Sequence, residues 1–221
     1  MNNLKKSIIL IILLLIYILI STINYVHATS SNISNEVFRL HVIANSNSDE
    51  DQNLKYKVRD AVIEYVESIS KNATSKNDII EIVTKNSTNI KYIAEEVIKN
   101  EGFSYSIKIN IGNFSFPTKQ YGDISLPSGF YDALRIEIGN ASGENWWCVM
   151  FPPLCFVDIT TGIVPDESKT TLQENLETEE YALISEDSGV MKFKFKLIEM
   201  FENISIALGY NDKDSFAHTT N

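Results

Sequence analysis

The chain is poor in the residues that break folds or build sites: 221 residues include two cysteines, three histidines, five prolines and nine glycines. So little Gly and Pro excludes fibrous and low-complexity classes. Cys148 and Cys155 stand seven residues apart, a spacing that matches no zinc pattern, and only His27, His41 and His218 exist to complete a set. Basic residues are also scarce, 19 against 29 acidic ones. Lys5 and Lys6 precede the first apolar run, so residues after 28 hold 17 basic and 29 acidic side chains, a net of −12. That sign argues against nucleic acid or anionic lipid as a partner held by bulk electrostatics. Glycine-rich phosphate loops, Gly-x-Ser-x-Gly and internal repeats are missing too. No motif calls for a cofactor or a metal.

What is present begins with an address. Lys5-Lys6 is followed by Ile8–Ile20, thirteen uncharged and largely apolar residues, and then by Val26-His27-Ala28. A basic start, a short apolar core and a small-x-Ala ending match a secretory signal cleaved after Ala28. An uncleaved anchor over residues 7–26, touching the membrane, fits the same stretch, because roughly 20 residues span a bilayer. In both cases the charge asymmetry places residues 29–221 outside the cytoplasm. The expected organisation is signal peptide or anchor over 1–28, one domain over 29–210 and a flexible tail over 211–221.

The densest apolar stretch is Trp146–Asp158, WWCVMFPPLCFVD. Strand formers flank two prolines that cannot donate to a ladder, which predicts two antiparallel strands folded back through a proline turn. Cys148 and Cys155 then face each other, and an oxidising compartment permits a disulfide. Free buried thiols and a reactive thiol are the other readings. Trp146 and Trp147, being adjacent, point to opposite sides of the ribbon, so one of them is a candidate partner-binding anchor.

Elsewhere the periods alternate between two and about 3.6. Glu36–Ala44 reads as a strand with Phe38, Leu40, Val42 and Ala44 on one face, and Arg39 and partly exposed His41 on the other. Ser48 and Asp51 form a helix start, and a helix follows over about Asp49–Ser70 with Lys55, Lys57 and Arg59 on its solvated side. A second helical stretch from Ser75–Asp78 to about Asn100 is interrupted at Asn86–Asn89. Strands are expected from Phe103, turning at Gly112-Asn113 into a partner strand over Phe114–Tyr121, and in the second half of Tyr131–Gly139. Partial helix is expected around Thr171–Glu179, and a strand passing into helix over Val190–Ile206. The fold class is α+β: an N-terminal signal or anchor helix, then one domain of mostly antiparallel sheet packed with two or three helices.

Two chemistries deserve a test. A cysteine hydrolase needs a thiol beside an imidazole and an orienting group. Cys148 or Cys155 with His41, and Asn45 or Asp158, have the right residue types without any local signature. Asn45-x-Asn47-x-Asp49-x-Asp51 imitates a calcium loop but lacks its leading Asp, its Gly and its closing Glu.

Two longer motifs carry a resemblance. Phe38-Arg39-Leu40-His41-Val42-Ile43-Ala44-Asn45-Ser46 with Asp51-Gln52 and Lys57-Val58-Arg59-Asp60 is one. Asn145-Trp146-Trp147-Cys148-Val149 through Phe151-Pro152-Pro153-Leu154-Cys155-Phe156 is the other, with Leu126-Pro127-x-Gly129 and Ala133-Leu134-Arg135 between them. Together they resemble the stage II sporulation protein R family of endospore-forming Firmicutes. The resemblance implies a non-enzymatic signal made in the forespore and secreted across its membrane into the space facing the mother cell. There it would activate a membrane-embedded aspartic protease that processes the sigma-E precursor. The expected partner-contact residues are Trp146, Trp147, Phe151, His41 and Asn45; the exported cysteine hydrolase remains the alternative.

Overall fold

In the computed structural model, which describes residues 3–155, 164 and 166–185, four strands form one mixed sheet. Strand β1 (Phe38–Ile43) lies parallel to β5 (Gly129–Ile138) and antiparallel to β6 (Asn145–Phe151). Strand β2 (Ile107–Phe116) flanks β5 antiparallel, giving the order β2-β5-β1-β6. The antiparallel pair β3 (Lys119–Tyr121) and β4 (Ile124–Leu126) forms a separate two-stranded sheet.

Each face of the main sheet has its own cover. Helices α2 (Asp49–Ile69), α3 (Lys76–Lys85) and α4 (Ser87–Asn100) pack on Phe38, Leu40, Val42, Leu134 and Ile136. Their sequence signals are local: Ser48 accepts from Asp51 N at 3.3 Å, and Ser75 with Asp78 closes a capping box. Asn86 ends α3, which divides the long helical stretch in two as its polar interruption predicts. The opposite face carries Val37, Tyr131, Ala133 and Val149 under the β3–β4 pair and helices α5 (Asp166–Asn175) and α6 (Thr178–Ser185). Ile33, from the last turns of α1 (Asn3–Glu36), completes this second core.

Several expectations change. The α+β class holds, with five helices besides α1 among the described residues rather than two or three. No turn occurs at Gly112-Asn113: β2 runs straight through, because β5 offers it an unbroken ten-residue ladder and only Pro117 stops it. Strand β5 likewise begins at Gly129, and Phe103–Tyr105 stays outside β2. Strand β6 pairs with β1, Pro152, Pro153 and Cys155 are turn as the prolines predict, and the rest of the expected return strand, like Val190–Ile206, lies outside the described residues. Lys55 is buried instead of solvated, its Nζ donating to Gln52 Oε1 at 2.5 Å and Glu144 O at 3.2 Å.

The N-terminal helix is continuous from Asn3 to Glu36 and ends docked on the domain, with Ser30 Oγ donating to Ser128 O at 3.2 Å. Among the described residues no helix is long and apolar enough to cross a membrane. The spanning anchor expected over residues 7–26 therefore finds no counterpart among the described residues.

Candidate functional site

Strand register lays side chains out in rows across the second face. Cross-strand neighbours share a face and successive residues alternate. One row is Gly112, Ala133, Arg39 and Val149; the next is Asn110, Arg135, His41 and Trp147. The second row is polar on three of its four strands, whereas the rows under the helices are apolar. It lies beyond Arg39 toward the end of the sheet where Asn145 is exposed and Arg135 and Trp147 are half-buried.

His41 is the centre of this row. Its ring stacks on Trp147 with centroids 3.7 Å apart and planes 18° from parallel. Phe116 meets both rings edge-on, at 5.9 Å from His41 and 4.7 Å from Trp147. Burial lowers the His41 pKa to about 4; the Asn145 bond opposes the shift, and the positive charges of Arg135 and Arg39 reinforce it. A neutral ring has one N–H, and Nε2 lies 2.7 Å from Asn145 Oδ1, so Nε2–H donates there. Nδ1 has no partner. The partly exposed His41 expected from its mixed strand face is in fact buried, because Trp147 lies flat over it.

Arg39 is fully buried, with Cζ 4.1 Å from the Phe116 centroid, 4.6 Å from Tyr131 and 5.9 Å from Tyr121. Ring faces attract the cation and offset part of its lost hydration. Arg39 Nη2 donates to the Tyr121 hydroxyl at 2.6 Å, and that hydroxyl donates to Trp147 O at 3.2 Å. Burial raises the Tyr121 pKa, with Arg39 opposing, so the phenol stays protonated and can donate.

The expected contact residues separate. His41 and Trp147 meet on the second face. Trp146 turns to the helices, where Arg59 Cζ sits 4.2 Å over its ring and Tyr56 meets it edge-on at 5.6 Å. Phe151 is buried in the helix-side core. Asn45 closes the β1–α2 turn: Nδ2 donates to Asp51 Oδ2 at 2.8 Å and Oδ1 accepts from Asn140 N at 2.9 Å. Ser46 Oγ donates to the same Asp51 oxygen at 2.5 Å. Burial works against ionisation of Asp51, but bonds from Ser46, Asn45 and Tyr105 outweigh it and hold its pKa below the ordinary carboxylate value. The calcium-like spacing is thus a capped helix start.

Cys148 and Cys155 are bonded to each other, with Cα atoms 5.2 Å apart. Cys148 pairs with Leu40 in register and shares its helix-side core. His41 projects from the other face. The thiol–imidazole pair required by the hydrolase reading is not assembled, since one residue along a strand reverses the face. Sequence reasoning placed Arg39 beside His41 and quoted Arg135 and Asn145, yet gave none of them a role. The signal available was the alternation that puts a second cation on the His41 face; the parallel pairing that brings Arg135 alongside was not visible.

The sequence profile of the stage II sporulation protein R family matches residues 34–161, more than half of the chain. The chain belongs to that family. The matched region contains every strand of the sheet, the polar row and the disulfide. "Stage II sporulation protein R" of Bacillus subtilis (strain 168) is 37% identical over 147 residues. That match covers 66% of each chain, so just under two thirds of the relative's length is represented. No solved structure matches.

Proposed function

We propose that this family member is an exported sporulation signal. It is secreted from the forespore into the space facing the mother cell, where it binds and activates the membrane-embedded aspartic protease that processes the sigma-E precursor. Binding would favour the protease's active state through higher affinity for that state. The observation that carries the reading to particular residues is the Trp147–His41 stack, a half-exposed aromatic plate on a polar row within the family-matched region. Tryptophan is a frequent anchor of protein interfaces, and a rigid backing reduces the entropy lost on binding.

The test is reconstitution with the protease and precursor. Trp147→Ala should cut precursor cleavage on the order of tenfold while circular dichroism stays unchanged. Trp146→Ala, packed under α2, should act through stability instead. Undiminished cleavage by a folded Trp147→Ala protein rejects this surface. Export predicts a mature chain beginning at Thr29, read by mass spectrometry of the secreted protein; a secreted chain retaining Met1 rejects the processing.

A further inference from the structure

Two guanidinium groups on the second face have N–H groups without acceptors. Arg39 Nε and Nη1 are both buried and unbonded. One strand over, Arg135 Nη2 contacts Glu137 Oε1 at 2.8 Å, while its Nε is buried without a partner. Among the described residues, Glu137 is the single carboxylate bonded to either group. Desolvated cations are ordinarily paired with acids. The chain has 29 acidic residues, and among the described ones Glu137 alone is paired with either guanidinium.

Resting on the reading above, we propose that Arg135, backed by Arg39 and walled by the Trp147–His41 stack, binds a carboxylate presented by the partner protein. Guanidinium and carboxylate match as a bidentate fork, and pairing in a partly desolvated site strengthens the bond. Arg135 is one-third exposed, at 33%, so turning its side chain presents Nε without opening the core. Arg39 is fully enclosed and acts through its charge. Phe114, half-buried with its ring centroid 5.4 Å from Arg135 Cζ, offers an apolar surface for the aliphatic part of the same residue. Glu137, at the rim, disfavours a doubly charged phosphate more than a singly charged carboxylate. The carboxylate is an acidic side chain or a chain terminus.

The probes are N-acetylglutamate α-amide, which carries only the side-chain carboxylate, and N-acetylglutamine, which carries only the terminal one. N-acetylglutamine amide is the neutral control. His41, one of three histidines, reports by nuclear magnetic resonance of its ring. At least one carboxylate probe should shift the His41 signals saturably, with affinity on the order of millimolar for so small a ligand. Its titration midpoint should rise from about 4, because a nearby anion offsets both arginines. Arg135→Gln should weaken binding about tenfold, the loss expected for a charge-assisted bond. Lys169→Gln, at the Asp123 ion pair, should leave it unchanged.

The proposal is overturned if neither carboxylate saturates, if the neutral amide binds as well, or if folded Arg135→Gln binds unchanged. Which carboxylate probe binds identifies the source. Probe binding lost in Arg135→Gln with protease activation intact supports the carboxylate site and sinks the contact surface. Activation lost in Arg135→Gln without probe binding to the native protein does the reverse.

Discussion

The two faces of one sheet are built on different terms. Under α2–α4 the face is apolar, with Leu40, Val42, Leu134, Ile136 and Cys148 interlocked beneath helical side chains. On the other side the same strands hold Arg39, His41, Arg135 and Trp147, with aromatic rings around Arg39 where a counter-ion would stand and Glu137 beside Arg135. The first face gains stability directly from apolar burial. The second carries polar groups that are costly to bury and incompletely bonded, which is the expected signature of a surface retained for recognition. On the proposed reading, stability and recognition occupy alternate residues of the same strand.

This contrast is open to attack at several points. The largest effect belongs to the first face: Leu40→Ala should destabilise by about 3 kcal/mol in urea unfolding, from lost burial and the cavity left behind. A value near zero would place Leu40 outside the core.

The second face should answer to pH. His41 titrates near 6.5 when unfolded and about 4 when folded. Its folded pKa is depressed, so the unfolded state takes up the proton first and stability falls as pH drops from about 6.5 towards 4. The full loss is on the order of 3 kcal/mol. Unfolding the native protein and His41→Asn in parallel at pH 7 and pH 4.5 isolates this contribution from the carboxylates. An equal acid sensitivity in both would remove His41 from the account.

The smallest of the three concerns the disulfide. Reduction opens a loop of seven-residue separation and should cost about 2 kcal/mol while leaving the Trp147–His41 plate in place. The unfolded, unreduced protein should show no thiol reactive to a colorimetric reagent. Titration of two free thiols would refute the bond.

How legible all this was depends on the range of the interactions. Helix starts at Ser48 and Ser75 and the break at Asn86 are fixed by neighbours within four residues, and they read correctly. The opposed directions of Trp146 and Trp147 follow from backbone pleating alone. The path of β2 through Gly112-Asn113 depends on a partner strand seventeen or more residues later, and turn propensity there was overridden by the ladder. Arg39 was seen beside His41 but given no role for the same reason: its aromatic surroundings come from β2, β3 and β5, brought together only by the fold.

The loop between β5 and β6 has a further consequence. Ser142 N and Gly143 N donate to Asn45 O and Ala44 O at 3.2 and 3.0 Å, and a Cβ on Gly143 would lie 2.2 Å from Ser46 O. Backbone meets backbone there, which leaves only glycine room to pass. This clasp sets the phase of β6 against β1 before the strand begins. A slip by one residue would exchange the tryptophans, placing Trp146 over His41 and turning Trp147 and its neighbours inside out. The glycine at 143 therefore acts as an alignment pin for a surface it never touches.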